Sequence, residues 1–270
     1  MFTIVRKEEL AQDTFLFEIE APRLAKSALP GQFLIVKMEE KSERIPLTIS
    51  DYDVEKGTII IVFKAIGKST RIMAEYNVGD KFADVVGPLG KPSEFVHLTD
   101  EERKNKRFVF VGGGVGIAPI YPQVKWLYEH GIKADVIVGA RNKSLIMYED
   151  EFKASANNLF LTTDDGSYIR KGFVTDVLRE NLEKGLYDCV MAVGPMPMMR
   201  AVCNLTKEFG VKTVVSMNPV MVDGTGMCGA CRITVGGKTK FVCVDGPEFD
   251  AHQVDFDEML MRLSSYKEVE

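Results

Sequence analysis

The sequence predicts an α+β protein of two domains. An antiparallel β-barrel comes first, a doubly wound parallel α/β domain follows, and a small cysteine-bearing segment ends the chain. Three observations carry this. Up to about residue 95, short β-branched and aromatic runs alternate with turn residues. From Arg107 onward, apolar strands alternate with amphipathic helices. After residue 217, glycines and three of the five cysteines crowd into one stretch. A length of 270 residues exceeds the usual single-domain size and suits this division. The boundaries fall at 1–98, 99–216 and 217–270, the first of them in the charged run TDEERKNKR (99–107).

In the first part, Phe15, Phe17 and Ile19 alternate within DTFLFEIEA. The runs FLIVKM, RIPLTIS, GTIIIVFKAIG and DKFADVVGP follow, separated by Pro-Gly, Asp, Gly and Gly-Asp breaks. About six strands at such spacing make a small antiparallel barrel. Pro46 lies inside one run, which implies an edge or a bulge, because proline donates no ladder hydrogen bond.

In the second part, RFVFVGGGVGIAPI is an apolar strand running through glycines into a helix. That helix carries Ile120, Val124 and Leu127 on one face and stops at Gly131. Strands at ADVIVG and NLFLTT, a helix at VTDVLRENL and a strand at DCVMAVG come next. A helix with Met198, Val202, Leu205 and Phe209 on one face then precedes the strand KTVVSM. Repeated βα units of this kind build a parallel sheet with helices on both faces.

Gly113, Gly114 and Gly116 stand where a strand meets a helix N-terminus, the place where free amides and the helix dipole favour a pyrophosphate. The pattern is not the strict G-x-G-x-x-G, and a plain tight turn is the competing reading. Gly194, Pro195 and Met196 end another strand at the sheet's carboxyl edge, with an ordinary helix start as the alternative. In the barrel half, Arg44, Pro46, Leu47 and Thr48 form R-x-P-L-T. An arginine beside a hydroxyl can clamp a diphosphate, although a surface salt bridge would use the same residue. Gly67, Ser69 and Thr70 belong to G-K-S-T at a turn, where amides and hydroxyls could hold phosphate; the upstream spacing of a P-loop is absent.

The segment MVDGTGMCGACRITVGGKTKFVCVDG places Asp223, Cys228, Cys231 and Cys243 at the spacing of a plant-type [2Fe–2S] loop, with Asp223 in the first cysteine's position. A zinc knuckle also uses C-x2-C, but structural zinc sites pair it with a second knuckle or two histidines, and neither lies nearby. Cys189 and Cys203 fall in apolar segments. His97, His130 and His252 are isolated and read as surface or packing residues.

The formal charge of −5 argues against a nucleic-acid partner. No apolar run approaches the ~18 residues of a membrane span, and MFTIVRKEEL lacks a signal-peptide core. Few cysteines, mostly grouped as ligands, fit a reducing cytoplasm.

Taken in order, R-x-P-L-T, G-K-S-T, GPLG, GGGVGIAP, VGPMPM and the cysteine loop resemble the ferredoxin–NADP reductase superfamily over nearly the whole chain. The chain is most similar to the branch with a C-terminal [2Fe–2S] segment. That branch holds the electron-transfer subunits of dihydroorotate dehydrogenase, with four cysteines in the loop. It also holds the small subunits of NADH-dependent reduced ferredoxin:NADP oxidoreductases, with one Asp and three Cys, the pattern found here.

The resemblance implies FAD on Arg44, Pro46, Leu47 and Thr48, with Gly67, Ser69 and Thr70 at its diphosphate. It implies NAD(H) on Gly113, Gly114, Gly116 and Gly194 to Met196, and a cluster on Asp223, Cys228, Cys231 and Cys243. Flavin would link a two-electron nicotinamide to a one-electron cluster. It further implies a heterodimer with a large flavin/iron–sulfur subunit that binds NADP(H), performs electron bifurcation and exchanges electrons with ferredoxin. Two alternatives stand: a subunit serving dihydroorotate dehydrogenase, and a zinc-bound binding module. Nicotinamide preference also stays open, since no acidic residue ends the second parallel strand and Arg141 just beyond it could pair with a 2′-phosphate.

Overall fold

The computed structural model describes residues 2–265. The barrel is built from β1 (Phe2–Ala11), β2 (Thr14–Glu20), helix α1 (Pro22–Ser27), β3 (Phe33–Lys37), β4 (Ile45–Asp53), β5 (Thr58–Lys64), helix α2 (Lys68–Ala74), β6 (Lys81–Phe82) and β7 (Asp84–Leu89). All its ladders are antiparallel, in the order β6-β1-β2-β5-β4-β3-β7. The alternating residues of β2 point inward, and Phe17 meets Phe63 edge-on with ring centroids 5.1 Å apart. Each such ring contributes about 2–3 kcal/mol of burial. β1, which the sequence reading did not name, pairs with β2 along most of its length.

Pro46 lies where β4 has a neighbour on one side only. Ile45–Thr48 pair with β3, whereas Ile49–Asp53 pair with β5, and the register shifts between Ile49 and Asp51. The missing proline N–H therefore breaks no ladder on the open side.

After the short helix α3 (Asp100–Lys104), capped by Thr99, the parallel sheet begins. Its elements are β8 (Phe108–Gly113), α4 (Ile117–Glu129), β9 (Asp135–Ala140), α5 (Glu149–Ser155), β10 (Leu159–Thr163), α6 (Val174–Leu182), β11 (Cys189–Val193), α7 (Met196–Glu208) and β12 (Lys212–Ser216). The order β10-β9-β8-β11-β12 reverses direction between β8 and β11, as a doubly wound sheet does. Ile117, Ile120, Val124 and Leu127 of α4 pack with Phe152 of α5 on one face. Val177, Leu178, Val202 and Leu205 of α6 and α7 cover the other. Lys125 of α4 grips Asp51 of β4 with Nζ 2.8 and 2.9 Å from the two carboxylate oxygens, joining the two halves.

The C-terminal part comprises β13 (Arg232–Val235), β14 (Lys238–Phe241), α8 (Val242–Asp245), β15 (Glu248–Asp250) and α9 (Phe256–Ser264). It is more than an appendage. β15 extends the parallel sheet as an antiparallel sixth strand beside β12. Part of the stretch read as a charged tail is the helix α9, which buries Phe256 and Met259; residues 266–270 lie outside the described residues. One apolar core runs from Phe33 and Ile35 of the barrel, through Cys231, Ile233, Val242 and Cys243, to α7. Among the described residues no helix is long and apolar enough to cross a membrane.

Candidate functional site

The loop between β12 and β13 folds back on itself at Gly224 and Gly226, both in the left-handed region with φ +79° and +90°. A Cβ on Gly224 would stand 2.2 Å from Ile35 Cδ1, so the loop lies directly against the barrel. Asp223 Oδ2 accepts from the Thr225 amide at 2.9 Å, from the Thr225 hydroxyl and from the Met227 amide at 3.4 Å. These bonds, the Thr225 hydroxyl's first, hold the carboxyl below the usual carboxylate range.

Cys228 is exposed, and its sulfur accepts from the Ala230 amide at 3.5 Å. That amide, followed by those of Asp223 and Val222, lowers the thiol's pKa. Cys231 and Cys243 are buried, with sulfurs 3.2 Å apart and the Cys243 amide 3.5 Å from Cys231 Sγ. Burial, then the neighbouring Cys231 thiol, pushes Cys243 up, while the Gly226 amide opposes this.

Among the described residues, no three His, Cys, Asp or Glu side chains converge on one point. The four candidate ligands stand instead as a buried pair, Cys231 with Cys243, and a loop pair, Cys228 with Asp223, whose backbone amide is directed at the Cys228 sulfur. A single tetrahedral zinc needs four donors around one centre. A sulfide-bridged iron pair needs two protein donors on each iron, which is what two sets supply. Amides aimed at the sulfurs are the outer hydrogen bonds that tune such a cluster. The donor set therefore fits an iron–sulfur group and fits zinc poorly.

Arg44 makes no surface salt bridge among the described residues. Its Nε donates to the Asp223 carbonyl at 3.1 Å, tying the barrel to the ligand loop across 179 residues of sequence. Pro46, Leu47 and Thr48 are half-buried beside it. Replacing Arg44 by Met keeps the aliphatic stem and removes this donor. The expected result is faster cluster loss in air than in the parent protein, read as decay of visible absorbance; equal decay rates would separate Arg44 from the loop's stability.

At the start of α2, Gly67 N donates to Thr70 Oγ1 at 3.1 Å, and that hydroxyl donates to the Gly67 carbonyl at 3.1 Å. The Thr70 hydroxyl and the Gly67 amide are thus engaged in closing their own turn.

At the reversal point of the parallel sheet, β8 ends on Gly112-Gly113, turns through Gly114–Gly116 and enters α4. Gly114 has φ +56°. A Cβ on Gly116 would meet the Val193 carbonyl oxygen at 2.4 Å, so this turn and the end of β11 touch backbone to backbone. Gly194 and the exposed Pro195 complete the crevice. The Met196 side chain, by contrast, is buried in the core at the start of α7 and does not line the crevice. Met198, which the sequence reading treated as helix packing, reaches both glycine turns. Arg141 is exposed just past β9. His130 stacks on Trp126 and His252 Nε2 contacts the Thr206 hydroxyl, so the histidines stay apart.

Residues 218–255 match the iron–sulfur cluster binding domain of dihydroorotate dehydrogenase B, and residues 110–204 match an oxidoreductase NAD-binding domain. A Thermotoga maritima homolog of the dihydroorotate dehydrogenase B (NAD(+)) electron transfer subunit is 47% identical, covering 99% of this chain and 92% of its own. The chain belongs to this electron-transfer-subunit family. It is also 59% identical to an uncharacterized protein of Clostridium beijerinckii, over 99% of this chain and 91% of that one. In a solved NADH-dependent reduced ferredoxin-NADP oxidoreductase, one chain superposes with a TM-score of 0.92 at 46% identity, covering 99% of this chain and 94% of its own.

Membership makes the protein an oxidoreductase subunit of the ferredoxin-reductase type that transfers electrons within a larger assembly. Its cofactors are FAD, an iron–sulfur cluster and NAD(H).

Proposed function

We propose that this chain is the small subunit of an NADH-dependent reduced ferredoxin:NADP oxidoreductase. It exchanges electrons with NAD(H) through FAD and a [2Fe–2S] cluster, and passes them to or from a large flavin/iron–sulfur partner in the cytoplasm. Bifurcation, NADP(H) and ferredoxin belong to the partner. The observation that carries this reading over the dihydroorotate dehydrogenase alternative is Asp223 in the first ligand position. The 46% identity over 99% of the chain to the solved oxidoreductase supports it.

In this reading residues 1–98 form the FAD barrel, 99–216 the NAD(H) domain and 217–270 the cluster segment. Arg44, Pro46, Leu47 and Thr48 hold the flavin, with Gly67, Ser69 and Thr70 at its diphosphate. Gly113, Gly114, Gly116, Gly194, Pro195 and Met196 hold the pyridine nucleotide. Asp223, Cys228, Cys231 and Cys243 ligate iron. Bound FAD supplies the step between two-electron nicotinamide chemistry and one-electron transfer. The protein's own residues supply binding and alignment: amides at α4 for the pyrophosphate, a glycine-lined crevice for close approach, and a strut from Arg44 to the cluster loop.

Anaerobic co-purification with the natural partner tests this. The small subunit should carry about two irons, two acid-labile sulfides and one FAD, beside a partner with its own flavin and clusters. A partner that oxidises dihydroorotate would establish the alternative, and absence of labile sulfide would reject both. Replacing Asp223 by Cys should keep the iron count and shift the visible spectrum and midpoint potential. An unchanged spectrum and potential would remove Asp223 from the ligand set.

A further inference from the structure

The Asp223 carboxylate is already half engaged by its own loop. Oδ2 accepts from the Thr225 amide at 2.9 Å, from the Thr225 hydroxyl and from the Met227 amide at 3.4 Å. All three donors converge on one oxygen, and Oδ1 has no partner among the described residues. The backbone is held as well, since Arg44 Nε donates to the Asp223 carbonyl at 3.1 Å. One oxygen of this residue is therefore fixed and the other is left over.

The run D-G-T-G builds the arrangement. Aspartate readily accepts from the backbone amide two residues on. Gly224 and Gly226, at φ +79° and +90°, take the left-handed conformations that turn the chain back. Thr225, between them, carries a short hydroxyl that reaches the same oxygen as its own amide. A cysteine at 223 would offer one sulfur for both tasks, whereas aspartate divides them between two oxygens.

Carboxylates bind metal through one oxygen or through both. Hydrogen bonds on Oδ2 disfavour the second mode and draw its charge onto the loop. Donors to a ligand favour the more negative, reduced form of a cluster, and so raise its potential. We propose that Thr225 is a positioning residue for the cluster. Its hydroxyl occupies Oδ2, presents Oδ1 alone to iron and raises the potential at which the cluster accepts an electron. The inference rests on the reading of Asp223 as a ligand.

An EPR-monitored redox titration of the anaerobically purified complex tests this. Thr225→Val keeps the side-chain shape and removes the hydroxyl. Thr225 is exposed, so water takes part of its place. The expected loss is about threefold in the one-electron reduction equilibrium, a fall in midpoint potential of ~30 mV. Thr225→Ser keeps a hydroxyl and should keep the parent potential. In the Asp223→Cys background, Thr225→Val should leave the potential where Asp223→Cys alone puts it, because the oxygen it serves is gone. Parental iron and labile-sulfide contents would show that the cluster is loaded, and Thr225→Ala carries the same comparison if the valine variant loads poorly.

An unchanged potential in Thr225→Val, the same shift in both backgrounds, or no rescue by serine would overturn the proposal. Loss of the cluster from both the valine and alanine variants would also overturn it, by assigning the hydroxyl to assembly. If Asp223→Cys itself left the spectrum and potential unchanged, the ligand reading would fall, an outcome distinct from a wrong role for Thr225.

Discussion

Replacing Cys231 by Ser should abolish the cluster and leave flavin reduction by NADH intact. Cys231 is buried, its sulfur lies 3.2 Å from Cys243, and it accepts the Cys243 amide, so it anchors one of the two donor sets. A serine hydroxyl is a harder and far less acidic donor than a thiol. Iron would have to drive off the proton of this much weaker acid, and the alkoxide formed suits sulfide-bridged iron less well than a thiolate does. The second set cannot compensate, because in this reading Asp223 and Cys228 are already committed to the other iron. Acid-labile sulfide and the visible spectrum read the loss directly, and NADH bleaching of the flavin reads what remains. A variant that keeps its full sulfide content would remove Cys231 from the ligand set. One that also lost NADH-driven flavin reduction would show the site to be structurally shared with the barrel.

The fold was readable wherever apolar periodicity is strong. The expected helix VTDVLRENL coincides with α6, and the run FVFVGG is β8, because both bury a full apolar face or strand. β1 escaped notice because its outward residues are charged and only Ile4 is fully buried within it. β15 is three residues long and owes its existence to β12 alongside, a tertiary cause that no local pattern carries. In α9 the spacing of Phe256, Met259 and Leu260 was present, but the acidic and basic residues around it read as tail.

The candidate site divides in the same way. Cysteine spacing and glycine turns are local signals and were legible. The Arg44 contact to the Asp223 carbonyl joins positions remote in sequence, and the Met198 contact depends on how α7 leans over two turns. Neither could be read without the packing.

Glu248 is a third case, since in the sequence it is one acid among 39 acidic residues. In the fold it begins β15, and its carboxyl group is buried where the barrel, α4 and the C-terminal part meet. Ser93 Oγ donates to Oε1 at 2.9 Å, and Oε2 is buried with no partner among the described residues. Gly31, at φ +85°, leaves room for it, since a Cβ there would stand 2.7 Å from Oε1. Gln123 of α4 comes within 3.3 Å of the same Ser93 hydroxyl, and the charge of Glu94, paired with Lys212, acts on the carboxyl. Burial, reinforced by Glu94 and opposed by the Ser93 bond, raises the carboxyl from 4.5 to about 7.

The folded protein therefore keeps this proton up to about pH 7, whereas the unfolded chain releases it near 4.5. Between those values the folded state binds more protons, so stability falls as pH rises, and above about pH 7 the loss is complete and constant. Its size is on the order of 3 kcal/mol. Glu248→Gln cannot ionise and should escape this loss: its stability relative to the parent should rise by about that amount between pH 4.5 and pH 8. Any fixed cost of the unpaired amide N–H is the same at every pH and cancels from the comparison. Urea unfolding of parent and variant holoprotein across this range measures it, and parallel stability–pH curves would mean that Glu248 is already ionised in the native state. Because Glu248 follows Cys243 by five residues and braces β15 against both other parts, its ionisation loads the joint that seats the cluster segment.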